Sequence, residues 1–233
     1  MLEKRKLAPE LMDDLSLDAS LHTQALHGLA RINRVSFAAN AIWKPIKNYY
    51  LIAGKKPLRI LDVASGAGDI VLSLALKARK ENLPFSFEGC DFNRRSVDHA
   101  KERAQRHDLN ISCFVSDALR DSIPERFNVV MSSLFLHHLS EDQLARFLEI
   151  LNASRAKLIV LCDLKRSLRG LALAYLGTRL LSTSSVVHAD GPQSVRAAFT
   201  IREIILLAHA AGLAGACVGS VWPMRYLLTW RRP

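Results

Sequence analysis

The chain has 233 residues, of which 49% are apolar and 23% charged, and its 32 Lys and Arg against 22 Asp and Glu give a formal net charge of +10. That composition excludes a disordered chain and points to one large domain, domains averaging about 100–200 residues. The longest apolar run, 204–219, falls short of the ~20 residues a membrane span needs and is broken by His209 and glycines, which predicts a soluble protein.

Residues 1–55 read as a helical extension. Apolar positions recur at three-to-four spacing over 18–29 and 30–46, Pro45 falls near the end, and Gly54-Lys-Lys-Pro57 punctuates. From Leu58 short runs rich in Ile, Val, Leu and Phe, at 58–64, 85–91, 111–117, 128–136 and 157–164, alternate with helical stretches at 69–80, 94–107 and 141–152. Such alternation implies βαβ crossovers and a mostly parallel sheet covered on both faces. An insertion, 165–199, holds a Leu/Ala/Tyr-rich helix over 168–181, a Ser/Thr stretch and a turn at Asp190-Gly-Pro192. Capping boxes at Ser140 with Gln143 and at Thr200 with Glu203 start two more helices. Two last strands, 214–222 and 224–230, are joined so tightly that they predict an antiparallel hairpin at the sheet's edge, with Pro223 in its turn. The partition is therefore an α/β domain over 56–233 behind a helical segment that could form a lid.

The N-terminus, Met1-Leu-Glu-Lys-Arg-Lys6, lacks the apolar region of a secretory signal, and Cys90, Cys113, Cys162 and Cys217 are far apart in apolar runs. Together these predict a cytoplasmic location, buried reduced thiols and no metal cluster. The basic residues are scattered, so the charge reads first as a solvated surface and only second as a patch for an anionic partner.

In an open α/β sheet ligands sit beyond the carboxyl ends of the strands, and four features fall there. The first is Asp62-Val-Ala64-Ser65-Gly66-Ala-Gly68, leading from a strand into a helix. A dinucleotide fingerprint would want a third glycine where Val71 stands, and Asp62 would repel a pyrophosphate while suiting an ammonium group. Asp91 ends the second strand about 20 residues on, where a carboxylate can accept from both ribose hydroxyls. Asp117 ends the third and could accept from an adenine amino group; Ser132-Ser133-Leu-Phe-Leu-His137-His138 follows the fourth. Each acid alone is as simply a solvated loop residue. The ordered set points to a ligand.

That set resembles the class I S-adenosylmethionine-dependent methyltransferases over residues 58–233. The resemblance implies a Rossmann-like seven-stranded sheet with a reversed last hairpin and S-adenosyl-L-methionine as cofactor, leaving S-adenosyl-L-homocysteine as product. It assigns Asp62, Ala64, Ser65, Gly66 and Gly68 to the aminoacyl end, Asp91 with Phe92 and Asn93 to the ribose side, Asp117 and Ala118 to adenine, and Ser133 to the same pocket. Ala64-Ser65 departs from the Gly-Cys or Gly-Ser of many members. The phrases Arg31-Ile-Asn33-Arg-Val-Ser36-Phe37 to Trp43-Lys44 and Ser133-Leu-Phe-Leu-His-His-Leu139 are similar to methyltransferases of ubiquinone and menaquinone biosynthesis. Glu10-Leu-Met-Asp-Asp14 and Asp190-Gly-Pro-Gln-Ser-Val-Arg196 resemble bacterial methyltransferases associated with type III polyketide synthases, which implies a phenolic or quinone-like acceptor.

Methyl transfer is an in-line displacement, and a phenolic oxygen must also lose its proton. His138 and His137 are the candidate bases, with His138 favoured. Arg31, Trp43 and Tyr175 are the candidate acceptor contacts, with His22, His27 and Asn33 beside them, although helix-surface or packing duty explains each equally simply. The 168–181 helix, carrying Arg169 and Arg179, could complete an acceptor pocket or lie against a membrane surface. A nucleic-acid methyltransferase is disfavoured by Leu134-Phe-Leu standing where an Asn/Asp-Pro-Pro-aromatic stretch would be, and by the lack of interleaved aromatic and basic residues. A cofactor-binding protein without catalysis is the remaining alternative.

Overall fold

The computed structural model describes residues 2–233 apart from Glu3, Leu15 and Ser36, so Ser36 of the N-terminal phrase above lies outside the described residues. The strands are β1 (Leu58–Val63), β2 (Phe85–Asp91), β3 (Ile111–Val115), β4 (Val129–Ser133), β5 (Leu158–Leu164), β6 (Cys217–Val221) and β7 (Arg225–Arg231). They form one sheet in the order β3-β2-β1-β4-β5-β7-β6. The first five pair in parallel, and β7 lies antiparallel between β5 and β6 with Pro223 in the turn, as the sequence predicts. The strand order reverses between β1 and β4, which opens a crevice at their carboxyl ends.

The helices are α1 (Ala19–Val35), α2 (Ala38–Ile52), α3 (Asp69–Lys80), α4 (Arg94–Arg106), α5 (Glu141–Ala153), α6 (Leu168–Leu181), α7 (Ser185–Ala197) and α8 (Ile201–Ala210). Strand residues alternate between two cores. Ile60, Val129, Met131, Leu158 and Val160 pack with Ile42 and Ile46 of α2 and Val71 and Leu74 of α3. Leu61, Val130, Ile159 and Leu161 pack on the other face with Leu144 and Phe147 of α5 and Ile204 of α8. Both predicted capping boxes are formed, opening α5 and α8. α3 is opened by Gly68 at φ 79° and ends on Lys77, Arg79 and Lys80, which complement the helix dipole.

Three expectations need correction. Asp190-Gly-Pro192 is not a turn but lies inside α7, whose Val186, Val187, Asp190, Pro192, Ser194, Val195 and Ala197 are buried. Gly191 lets α6 approach there, since a Cβ on it would stand 2.4 Å from the Thr178 Cγ2; this burial outweighs the poor helix propensity of Gly and Pro. The strands predicted over 111–117 and 128–136 stop at Val115 and Ser133, and the chain beyond each leaves the sheet for the loops described below. Cys217 is exposed because β6 is the sheet's edge; Cys90, Cys113 and Cys162 are buried, and burial pushes their thiols up, that of Cys90 to about 12. Among the described residues no helix is long and apolar enough to cross a membrane.

Candidate active site

Beyond β1 the backbone turns through Ala64, Gly66 and Gly68, at φ 55°, 54° and 79°. A Cβ on Gly66 would meet nothing within 4 Å, so glycine there serves the left-handed turn and leaves open space beside bare backbone. Ala64 occupies the same region with a side chain, a mild strain of the kind held at functional loops.

Asp62 lies beneath this loop, 1% exposed. Neither carboxylate oxygen has a hydrogen-bond partner within the protein. Burial, and then the charge of Asp91, push its carboxyl well above the usual carboxylate range; the Val71 amide, too poorly placed for a full hydrogen bond, acts weakly the other way. A buried carboxylate without partners is costly. A cationic ligand would relieve that cost.

Asp91, at the end of β2, accepts from the Gly66 N–H at Oδ2 and from the Asn93 N–H at Oδ1, both at 2.9 Å. It therefore ties the glycine loop to the next strand. Asn93 caps α4 by accepting from the Arg95 N–H at 2.9 Å, and Phe92 presents an exposed ring beside it. Ser65 donates its N–H to the Cys90 carbonyl at 2.9 Å. Asp117 accepts from the Leu119 N–H at 2.9 Å and donates its own N–H to Asp121, while Ala118 in the loop after β3 and Ser133 at the end of β4 are half-buried. The ends of β3, β2, β1 and β4 thus carry these residues side by side.

Helix α1 lies across this end. Its Asn33 donates to Asp69 at the start of α3 at 3.2 Å, and its His22 is pushed down by burial and by His99 and Arg95 of α4. Arg31 donates to the Leu181 carbonyl at 2.8 Å, which ties α1 to the end of α6; His27 is exposed. Trp43 is a correction. It is buried against Phe85 at the amino end of β2, ring centroids 5.8 Å apart, and donates to Glu81 at 3.2 Å, at the opposite end of the sheet from the strand-end acids. Its place follows from α2 packing along the core. Tyr175 is exposed on α6 under the Arg179 guanidinium, 3.6 Å from the ring centroid, and lines a shallow groove of about 350 Å³ that contains none of the strand-end acids. A second groove, of about 600 Å³, lies at the amino ends of β1 and β2.

The loop after β4 holds His137 and His138 in a short 3-10 turn, their rings 4.3 Å apart. His137 is buried. Its Nδ1 lies 2.6 Å from Asp163 Oδ1 at the end of β5, its backbone N–H donates to Asp163 Oδ2 at 3.1 Å, and its Nε2 lies 3.6 Å from Glu10 Oε1. Burial alone would push the imidazole down; Asp163 and Glu10 overcome this and raise it to about 10. His137 is therefore an imidazolium at neutral pH and in this arrangement offers no lone pair for a base. Glu10, His137 and His138 bring donor atoms within 4.8 Å of one another, and the His137 ring lies between two carboxylates, Asp163 and Glu10. Asp163, His137 and Glu10 form a buried ion-pair chain.

The chain pins the N-terminal strap to the site. Arg5 donates to the His137 carbonyl at 2.9 Å and to the Ala197 carbonyl, Ser194 donates to Glu10, and Asp190 accepts from the Leu11 and Met12 N–H groups at 2.9 and 3.0 Å. Asp163, Glu10 and Arg5 were missed by sequence reasoning. Asp163 lies one residue from the carboxyl end of β5, as Asp91 ends β2 and Asp117 follows β3, which is the one signal that could have exposed it.

Residues 60–155 match the methyltransferase domain family. No curated protein matches the chain. Among solved structures, the plantazolicin methyltransferase BpumL with bound S-adenosylhomocysteine is 16% identical at a TM-score of 0.67, over 93% of this chain and 92% of that one. The magnesium protoporphyrin IX methyltransferase of Synechocystis PCC 6803, also with S-adenosylhomocysteine, is 14% identical at 0.57, over 94% and 90%. A protein of Nostoc punctiforme PCC 73102, provisionally assigned as an O-methyltransferase, is 15% identical at 0.63; 90% of this chain is covered, and it spans only 60% of that protein's length. At these identities the likeness establishes the fold.

Proposed function

We propose that this chain, whose residues 60–155 match a methyltransferase domain model, uses S-adenosylmethionine to methylate an oxygen of a small phenolic or quinol-like acceptor. The observation that carries the cofactor reading is the buried, unpartnered Asp62 carboxylate beneath a left-handed glycine loop that Asp91 anchors. Such a site suits a ligand with an ammonium group at one end and a ribose at the other. The small-molecule reading is supported by neighbours whose names specify plantazolicin and magnesium protoporphyrin IX.

When bound, S-adenosylmethionine supplies a methyl carbon made electrophilic by its sulfonium sulfur. Asp62 and the backbone at Ala64, Ser65, Gly66 and Gly68 hold the aminoacyl end, with Asp62 answering the ammonium charge. Asp91, beside Phe92 and Asn93, accepts from the ribose hydroxyls, and Asp117 and Ala118 receive the adenine. Ser133 closes the pocket from β4, and α1 shields it from water, which strengthens every charge interaction inside. A ring nitrogen of His138 takes the proton from the acceptor oxygen. His137 cannot share that role while Asp163 and Glu10 hold it protonated; it positions the turn that carries His138.

His138→Ala is expected to lower turnover at least about tenfold, general-base contributions being about 10²–10⁴, while S-adenosylhomocysteine binds as before. Turnover within about twofold of wild type would remove His138 from the mechanism.

A further inference from the structure

α6 is built inside out. Its buried residues are the small Gly170 and Thr178, packed against Ser167 and against Gly191 of α7. Its large apolar side chains, Leu168, Leu173, Tyr175, Leu176 and Leu180, point to solvent, Leu180 at 83% exposure. Trp222, 68% exposed, stands in the β6–β7 turn, whose Met224 lies beside Gly170 at the start of the same helix. An exposed apolar surface of this kind on a folded domain marks a contact site.

The charges on the surface select the partner. Arg169 and Arg179 are exposed among these apolar residues, and the sequence has no acidic residue between Asp163 and Asp190, both of which are buried. A second copy docking face to face about a two-fold axis would oppose arginine to arginine with no carboxylate from α6 to pair them. Phosphate headgroups would pair them. The helix, 14 residues or about 21 Å long, is too short to cross a hydrocarbon core of about 30 Å and suited to lie in its surface. Trp222 is exposed in the β6–β7 turn, which meets the start of α6 through Met224, and an exposed tryptophan is a typical interfacial anchor.

We propose that the exposed face of α6, with Trp222, docks on an anionic lipid surface. The inference is independent of which acceptor is methylated.

The test is co-sedimentation of the full chain with vesicles of phosphatidylcholine alone and of phosphatidylcholine and phosphatidylglycerol in equal parts. Tryptophan emission is followed alongside; Trp43 and Trp230 are buried, so a blue shift on binding reports Trp222. The expected result is binding to the anionic vesicles with a blue shift, weakening as salt rises from about 0.1 M to 1 M and the Debye length falls from about 10 to 3 Å. Leu168→Glu with Leu180→Glu should weaken it at least tenfold while leaving S-adenosylhomocysteine binding unchanged, which shows the variant folded. Absence of vesicle binding, or equal binding by the variant, would overturn the proposal. So would a dimer of the wild-type chain that the same substitutions dissociate without any vesicle binding, because a second copy would then be the occupant.

Discussion

Asp91→Ala is expected to weaken S-adenosylhomocysteine binding by about 100-fold or more while the chain stays folded. Hydrogen bonds to a charged group contribute about 1.5–3 kcal/mol each, and the account asks Asp91 for two from the ribose, so even partial loss exceeds the 1.4 kcal/mol that makes a factor of ten. The alanine also releases the Gly66 and Asn93 N–H groups, which now meet the carboxylate at 2.9 Å, and so loosens the loop that must lie against the ligand. Calorimetric titration of the variant checks it. An affinity within about threefold of wild type would mean that Asp91 only braces the loop.

The second large effect is on stability. Asp163 is fully buried against the His137 imidazolium, and Asp163→Asn would leave that cation buried with Glu10 alone at 3.6 Å. Breaking a buried pair from one side costs about 3–5 kcal/mol, which for a domain of this size is a fall in Tm of about 6–20 °C at ~2–4 °C per kcal/mol. Glu10→Gln should cost less, since Glu10 is nearer the surface. The pH dependence has a definite sign. His137 is raised to about 10, so its contribution is complete below its unfolded value of about 6.5 and is lost as pH climbs through 10. Asp163 and Glu10 are lowered, chiefly by His137 against the opposing effect of burial, so theirs is complete above the ordinary carboxylate range and is lost as pH falls below it. The Tm difference between wild type and Asp163→Asn should therefore be widest between about pH 5 and 6.5 and shrink toward both extremes. A difference that is flat with pH would contradict the ion-pair chain.

What the sequence made legible was local or periodic. α3 and α6 match their predicted bounds, and the boxes at Ser140 and Thr200 are formed, because capping residues act within one turn of the chain. The strand-end acids could be placed because a parallel sheet puts every strand's carboxyl end on one side. The failures were long-range. Nothing near Glu10 announces His137, and nothing near Asp190 announces the Leu11 and Met12 amides it holds. Trp43 looked polar enough at one edge to meet a ligand, but periodicity along α2 does not say which end of the sheet a given turn reaches. At Asp190-Gly-Pro192 local propensity favoured a turn, and packing of α7 against α6 prevailed.

The most direct test of the central claim is transfer of label from methyl-labelled S-adenosylmethionine by the wild-type chain to a panel of phenols and quinols, with separated products. The account predicts label in an O-methyl ether, formed in step with S-adenosylhomocysteine and lost in Asp91→Ala. Label found only on carbon, nitrogen or nucleic acid, or S-adenosylhomocysteine bound with no label transferred, would contradict it.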